Sequence, residues 1–132
     1  MKIIKKNKKI CLFLKKYDII IPVPISKKRK KERGYNQSAL LAREIAKQLN
    51  IGYNDTSLIK IKNITPQSSL KKEDRIKNVQ NVYSVINNEK IKNKSILLID
   101  DIYTTGSTVN ECSKKLIEYG ANRIGILTIA KD

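Results

Sequence analysis

The chain has no histidine and no tryptophan, and only two cysteines, three prolines and one phenylalanine among its 132 residues. The missing imidazole excludes Ser-His-Asp chemistry and histidine-based proton transfer. It also removes most zinc sites, because two separated cysteines cannot furnish a tetrahedral shell by themselves. Cys11 and Cys112 are far apart, and Cys112 shares a helical face with Val109 and Leu116. Both read as core or incidental thiols rather than a bridge, which suits a reducing compartment and makes the cytoplasm the expected location. No run approaches the roughly 18 apolar residues of a membrane span, and lysines break the opening segment too often for a signal peptide. With six tyrosines and Phe13 as the only aromatics, a base-stacking platform is not evident.

Lysine is what the chain has in excess. The net charge is +16, and 23 of the 28 basic residues are lysine. Residues 1–50 hold 15 basic and 3 acidic side chains, residues 51–94 hold 9 and 4, and residues 95–132 hold 4 and 5. The densest cluster is Lys27, Lys28, Arg29, Lys30, Lys31 and Arg33. Such a cluster can neutralise a pyrophosphate or attract a nucleic-acid backbone, and charge alone does not choose between them. Part of the excess reads as a solvated lysine surface of the kind that A+T-rich coding produces.

A chain of this length buries about two-thirds of the surface its unfolded form exposes, enough for one core without disulfide staples. Residues 1–17 read as a basic, helical N-terminal segment and residues 18–132 as a single domain. Asp18–Val23 is predicted as a buried strand closed by Pro22 and Pro24. Asn36 is an N-cap, and Leu41, Ile45 and Leu49, flanked by Ala42 and Ala46, form a helical core stripe ending near Asn50 and Gly52. Ser57–Ile61 and Val82–Ile86 are short strands, with a Lys- and Arg-rich helix at Leu70–Val79 between them. A helix over Thr108–Tyr119, with Gly120 after its end, precedes a last strand at Arg123–Ala130. This alternation predicts the α/β class: a mostly parallel sheet with helices on both faces.

Residues 95–108, Ser-Ile-Leu-Leu-Ile-Asp-Asp-Ile-Tyr-Thr-Thr-Gly-Ser-Thr, carry most of the chemistry. Ile96–Ile99 form the continuous apolar run of a strand covered on both faces, so Asp100 and Asp101 emerge at the sheet edge where α/β proteins bind ligands. Thr104, Thr105, Ser107 and Thr108 then supply hydroxyls, Gly106 permits close backbone approach, and the next helix points its positive dipole end at the same place. A phosphate attached to a ribose is the natural guest. Two acids after a strand also occur in response-regulator receivers, but there they lie near the start of the domain, whereas here about thirty residues follow.

This block resembles the phosphoribosyl pyrophosphate (PRPP) signature of type I phosphoribosyltransferases. A second set of residues, Ile21-Pro22-Val23-Pro24, Arg33-Gly34-Tyr35-Asn36-Gln37, Leu40-Leu41-Ala42, Thr65-Pro66-Gln67, Leu70, Arg75 and Asn78-Val79, is similar to the ComF branch of that superfamily. The resemblance runs from about Asp18 to Lys131. It implies that Asp100 and Asp101 hold the ribose hydroxyls as the catalytic pair, and that Thr104, Thr105, Gly106, Ser107 and Thr108 wrap the 5-phosphate. Ser26 and Lys27, after the first strand, correspond to the pyrophosphate loop. Arg33 grips phosphate oxygens with its planar fork. Arg75 falls in the segment where type I enzymes carry a small flexible hood, with Gln67 and Asn78 placing that segment, and Tyr103 lines the acceptor pocket.

The cofactor so implied is Mg2+, held mainly by PRPP oxygens and reaching Asp100 or Asp101 through water rather than by direct ligation. Displacing pyrophosphate from C1 of the ribose needs orientation and charge stabilisation, and no covalent nucleophile. The resemblance also suggests natural competence and DNA uptake, with single-stranded DNA and a helicase as partners, and leaves an oligomer open. ComF proteins usually carry an N-terminal cysteine-rich zinc module, and this sequence is expected to lack it. Two other readings stay open: a purine or pyrimidine salvage phosphoribosyltransferase, and a non-catalytic module that senses PRPP or binds single-stranded DNA.

Overall fold

The computed structural model describes residues 8–25, 27–61, 82–103 and 106–131. Four parallel strands form the central sheet: β1 (Ile19–Pro22), β2 (Gly52–Tyr53), β5 (Ser95–Tyr103) and β6 (Arg123–Lys131), in the order β2-β1-β5-β6. A separate antiparallel pair, β3 (Leu58–Lys60) and β4 (Tyr83–Val85), stands beside it. The described helices are α1 (Lys8–Leu14), α2 (Lys27–Arg33), α3 (Gln37–Leu49) and α4 (Ser107–Glu118), with a short 3-10 turn at Asn88–Lys90. The α/β class and the parallel sheet are those the sequence predicts.

Alternation along β5 builds two cores from one strand, because successive side chains of a strand leave on opposite faces. Ile96 and Leu98 point to one side, where they pack with Ile21, Val109, Cys112 and Leu116 beneath α4. Leu97 and Ile99 point to the other, where they meet Ile20, Ala42, Ile45 and Leu49 of the α3 layer. Each fully buried aliphatic side chain contributes about 1.5–3 kcal/mol relative to exposure. A strand flanked by helices on both faces therefore needs the unbroken aliphatic run that Ile96–Ile99 supplies.

The ends of α3 are set by two asparagines. The Asn36 side chain accepts hydrogen bonds from the amides of Ser38 (3.0 Å) and Ala39 (3.4 Å), and Asn50 closes the helix at φ 55°. Asparagine is among the few residues besides glycine that tolerate this left-handed conformation. Pro22, expected to stop the first strand, is its last residue. Its missing N–H faces the β2 side, where pairing has already ended at Ile20↔Tyr53, so no ladder bond is lost.

Two elements depart from the sequence reading. β2 begins where only the end of a helix is expected, since two residues carry too little pattern to announce a strand. Lys27–Arg33, the densest basic cluster, to which the sequence reading gives no secondary structure, is the helix α2. It has no apolar periodicity to reveal it, yet lysine and arginine are good helix formers, and Lys30, Lys31 and Arg33 in its last turn complement the negative dipole end. The helix expected at Leu70–Val79 lies outside the described residues, as do residues 1–7. Among the described residues no helix is long and apolar enough to cross a membrane.

α1 is fastened at the far end of the sheet from the C-terminal strand tips. Tyr17 lies against Gly125 of β6 so closely that a Cβ at position 125 would fall on the Tyr17 hydroxyl. The guanidinium of Arg123 sits 5.3 Å from the Tyr17 ring centroid, and Phe13 meets that ring edge-on at 6.2 Å. Gly125→Ala is expected to lower stability by about 1–3 kcal/mol through overpacking. Chemical denaturation checks this, and adding Tyr17→Leu should recover most of the loss.

Candidate functional site

The strand order reverses between β1 and β5. The chain leaves β1 towards α3 and β2 on one side, and leaves β5 towards α4 and β6 on the other. In open α/β sheets the crevice beyond such a reversal, at the carboxyl ends of the strands, is the usual ligand position.

Backbone pairing at that crevice stops in a specific way. The last bond between the two strands runs from the Val23 amide to the Ile99 carbonyl at 2.8 Å. A continuing parallel ladder would next carry the Asp101 amide to the Val23 carbonyl. Instead, Asn36 Nδ2 donates to the Val23 carbonyl at 3.1 Å, and the Asp101 amide donates to Ser38 Oγ at 3.1 Å. Two side chains from the start of α3 thus replace the missing rung, and both backbone groups keep partners as their burial requires.

Ser38 does more than accept that amide. Its Oγ lies 3.5 Å from Asp100 Oδ1 and 3.4 Å from Asp101 Oδ1, at the outer limit of hydrogen bonding, and the residue is only 4 % exposed. Adjacent strand residues send their side chains to opposite faces, yet here one hydroxyl touches both carboxylates. With a single hydrogen it donates to one of them at a time.

Opposite α3, the helix α4 begins at Gly106, which is buried at φ 81° and so takes a turn that a Cβ would strain. The first helical bond joins the Asn110 amide to the Gly106 carbonyl at 2.9 Å. The amides ahead of Asn110 stand outside the helical ladder at the positive end of the dipole.

The Asp100 side carries a second, buried polar group. Tyr83 of β4 is 3 % exposed, and Lys60 of β3 holds its Nζ 5.9 Å from the Tyr83 ring centroid. Burial pushes the Tyr83 phenol well above its ordinary range. The Cys112 thiol beside it adds to that rise, a hydrogen bond with Thr108 opposes it, and the charge of Asp100 adds further. Burial likewise pushes the Cys112 thiol far up, reinforced by Asp100 and Glu111 and opposed by Lys60. Both groups stay protonated at neutral pH, and Cys112 is a free thiol with no reactive character.

The structure brings Asp100, Asp101, Gly106, Ser107 and Thr108 to the carboxyl end of the sheet, but the acids do not end their strand as expected: β5 runs on through them to Tyr103, paired with β6 as far as Lys131. Arg33 is exposed at the end of α2, separated from the Asn36 cap by a turn through Gly34 at φ 82°. It closes α2, and the stretch from Gly34 to the Asn36 cap leads directly into α3. Lys27 stands in the first turn of α2, and Tyr103 ends β5; their side chains lie outside the description. Ser26, Thr104, Thr105, Arg75, Gln67 and Asn78 lie outside the described residues. Ser38, Tyr83 and Lys60 are additions that sequence reasoning missed. Only Ser38 had a signal: it is two residues after a recognisable N-cap, in a helix that follows the first strand of the sheet.

A family model, the phosphoribosyl transferase domain, matches residues 36–132. That is most of the chain, and the chain therefore belongs to the phosphoribosyl transferase domain family. Within this family it is of the ComF type. It is 34% identical over 119 residues to Competence protein F of Haemophilus influenzae, covering 89% of this chain and 52% of that protein. It is 35% identical over 105 residues to Competence protein ComFC of Bacillus subtilis, covering 80% and 40% respectively. The chain thus spans about half the length of these relatives. In fold it matches the crystal structure of purine phosphoribosyltransferase from Pyrococcus horikoshii, with a TM-score of 0.60 and 18% identity over 93% of this chain and 69% of that one.

Asn36→Ala removes both a helix cap and the donor to a buried carbonyl, so it should cost ~2–4 kcal/mol in denaturant titrations. Asn36→Asp keeps the cap acceptor but loses the donor, and is expected to fall between. The buried thiol and phenol set an alkaline limit. Their folded pKa values lie above the unfolded ones, so stability is complete below the unfolded values and falls as pH rises past them. Cys112 has an ordinary value of 9.0. Above it the unfolded state loses a proton that the folded state keeps, at about 1.4 kcal/mol per pH unit. Cys112→Ala should make the slope above pH 9 shallower by that amount, measured as unfolding free energy against pH.

Proposed function

We propose that this chain binds PRPP with Mg2+ and transfers its phosphoribosyl group, releasing pyrophosphate, as part of DNA handling. The observation that carries this reading is the gathering of two carboxylates on one buried hydroxyl at the strand reversal, beside the glycine-opened terminus of α4. Paired carboxylates accept the hydrogens of a ribose diol, and helix amides donate hydrogen bonds to a phosphate. The family supports the donor, and the names of the relatives, both competence proteins, support the setting in DNA uptake.

The residues fit the metal in kind. Among the described residues there is no group of three or more His, Cys, Asp or Glu side chains able to hold a metal ion alone. Mg2+ suits such a site, since it takes oxygen ligands from one or two carboxylates and substrate phosphates and retains waters. Asp100 and Asp101 are the groups that would orient it, and when bound it neutralises charge on the departing pyrophosphate. In the transfer the C1–oxygen bond breaks and its electron pair leaves with pyrophosphate, while the acceptor bonds to C1 and gives up a proton. The protein's own part is to fix the sugar through Asp100 and Asp101 and its 5-phosphate through residues 104–108, with Tyr103 at the acceptor side. The residues assigned to the diphosphate are Ser26 and the cations Lys27, Arg33 and Arg75. α2 favours such a polyanion, because its like charges three and four residues apart repel each other.

The exposed Lys30, Lys31 and Arg33 also favour a nucleic-acid backbone. Single-stranded DNA is therefore the partner proposed beside PRPP. Calorimetric titration with PRPP and Mg2+ is expected to show saturable binding by the native chain, and a loss of at least about tenfold in affinity for the Asp100→Asn, Asp101→Asn variant. Equal heats from both proteins would remove the acids from the donor site. Pyrophosphate release on adding a free purine or pyrimidine base would point to salvage instead.

A further inference from the structure

We infer that Ser38 is a positioning residue that sets the spacing of the Asp100 and Asp101 carboxylates for a vicinal sugar diol; this rests on the donor-binding reading above. Asp100 follows Ile96 and Leu98 on the α4 face of β5, and Asp101 follows Leu97 and Ile99 on the α3 face. Left to the period of the strand, the two carboxylates diverge. They also repel each other as like charges. A ligand whose neighbouring hydroxyls must be met by both acids needs them drawn together before it arrives.

Ser38 supplies that constraint from outside the strand. Its oxygen is held by the Asp101 amide at 3.1 Å, and its backbone amide is held by the Asn36 cap at 3.0 Å. Asn36 is in turn tied to the Val23 carbonyl. The hydroxyl is therefore fixed by β1, α3 and β5 together, and from that point it reaches one oxygen, Oδ1, of each acid. Its hydrogen passes between two anions, which tempers their repulsion while keeping both within reach of one small ligand. Replacing the hydroxyl by a hydrogen atom leaves the acids in place but frees each to follow its own face of the sheet.

Ser38→Ala and Ser38→Thr distinguish this role from ordinary packing, with ribose 5-phosphate and 2-deoxyribose 5-phosphate as calorimetric probes and inorganic phosphate as the third ligand. The native chain should prefer the sugar with both ring hydroxyls. Ser38→Ala should bind ribose 5-phosphate roughly tenfold more weakly, lose most of that preference, and keep its affinity for phosphate. Ser38→Thr keeps the hydroxyl and should keep the preference, whatever its added methyl does to stability, because the ratio of two sugars is read within one folded population. Equal weakening of all three ligands by Ser38→Ala, or an unchanged sugar preference, would overturn the inference while leaving donor binding intact. A native chain that binds neither ribose 5-phosphate nor PRPP would overturn the donor reading and this inference together.

Discussion

The candidate site depends on where the β1–β5 ladder is interrupted. Had the Val23 carbonyl and the Asp101 amide simply paired, the two strands would have run on side by side and closed the crevice. Asn36 and Ser38 take those two groups instead. The same two residues begin α3, so one short stretch of chain caps a helix, ends a strand pairing and contacts both acids. Buried polar networks of this kind are costly when incomplete and rigid when satisfied.

Much of the fold was legible because its signals are periodic. The Ile96–Ile99 run marked a doubly covered strand, and the Leu41, Ile45, Leu49 spacing marked α3 with its asparagine cap. What stayed illegible lacked such a pattern. α2 carries no apolar stripe, and its stability draws on propensity and dipole complementarity, which a run of lysines does not advertise. β2 is too short to show alternation.

The site was legible in part for the same reason. Asp100, Asp101 and Gly106 sit on contiguous residues, where spacing along the chain equals proximity in space. Ser38 lies more than sixty positions earlier, and Tyr83 and Lys60 come from a ribbon outside the main sheet. That Ser38 meets both acids and that Tyr83 feels the charge of Asp100 are products of topology, which sequence spacing does not encode. The basic cluster shows the converse: its density drew attention, yet nothing in its spacing announced that Lys27–Arg33 forms a helix.

The division of β5 between two hydrophobic layers gives the neighbouring acids unequal mutational sensitivities. Asp100 follows Ile96 and Leu98, which pack in the layer under α4 with Tyr83 and Cys112, whereas Asp101 follows Leu97 and Ile99, which pack in the α3 layer. A repacking in either layer would move one acid directly and reach its neighbour through the Ser38 hydroxyl that contacts both. Drift in these two interiors is thus coupled at a single point above them, and substitutions far from any ligand in one layer would restrict what the other can accept.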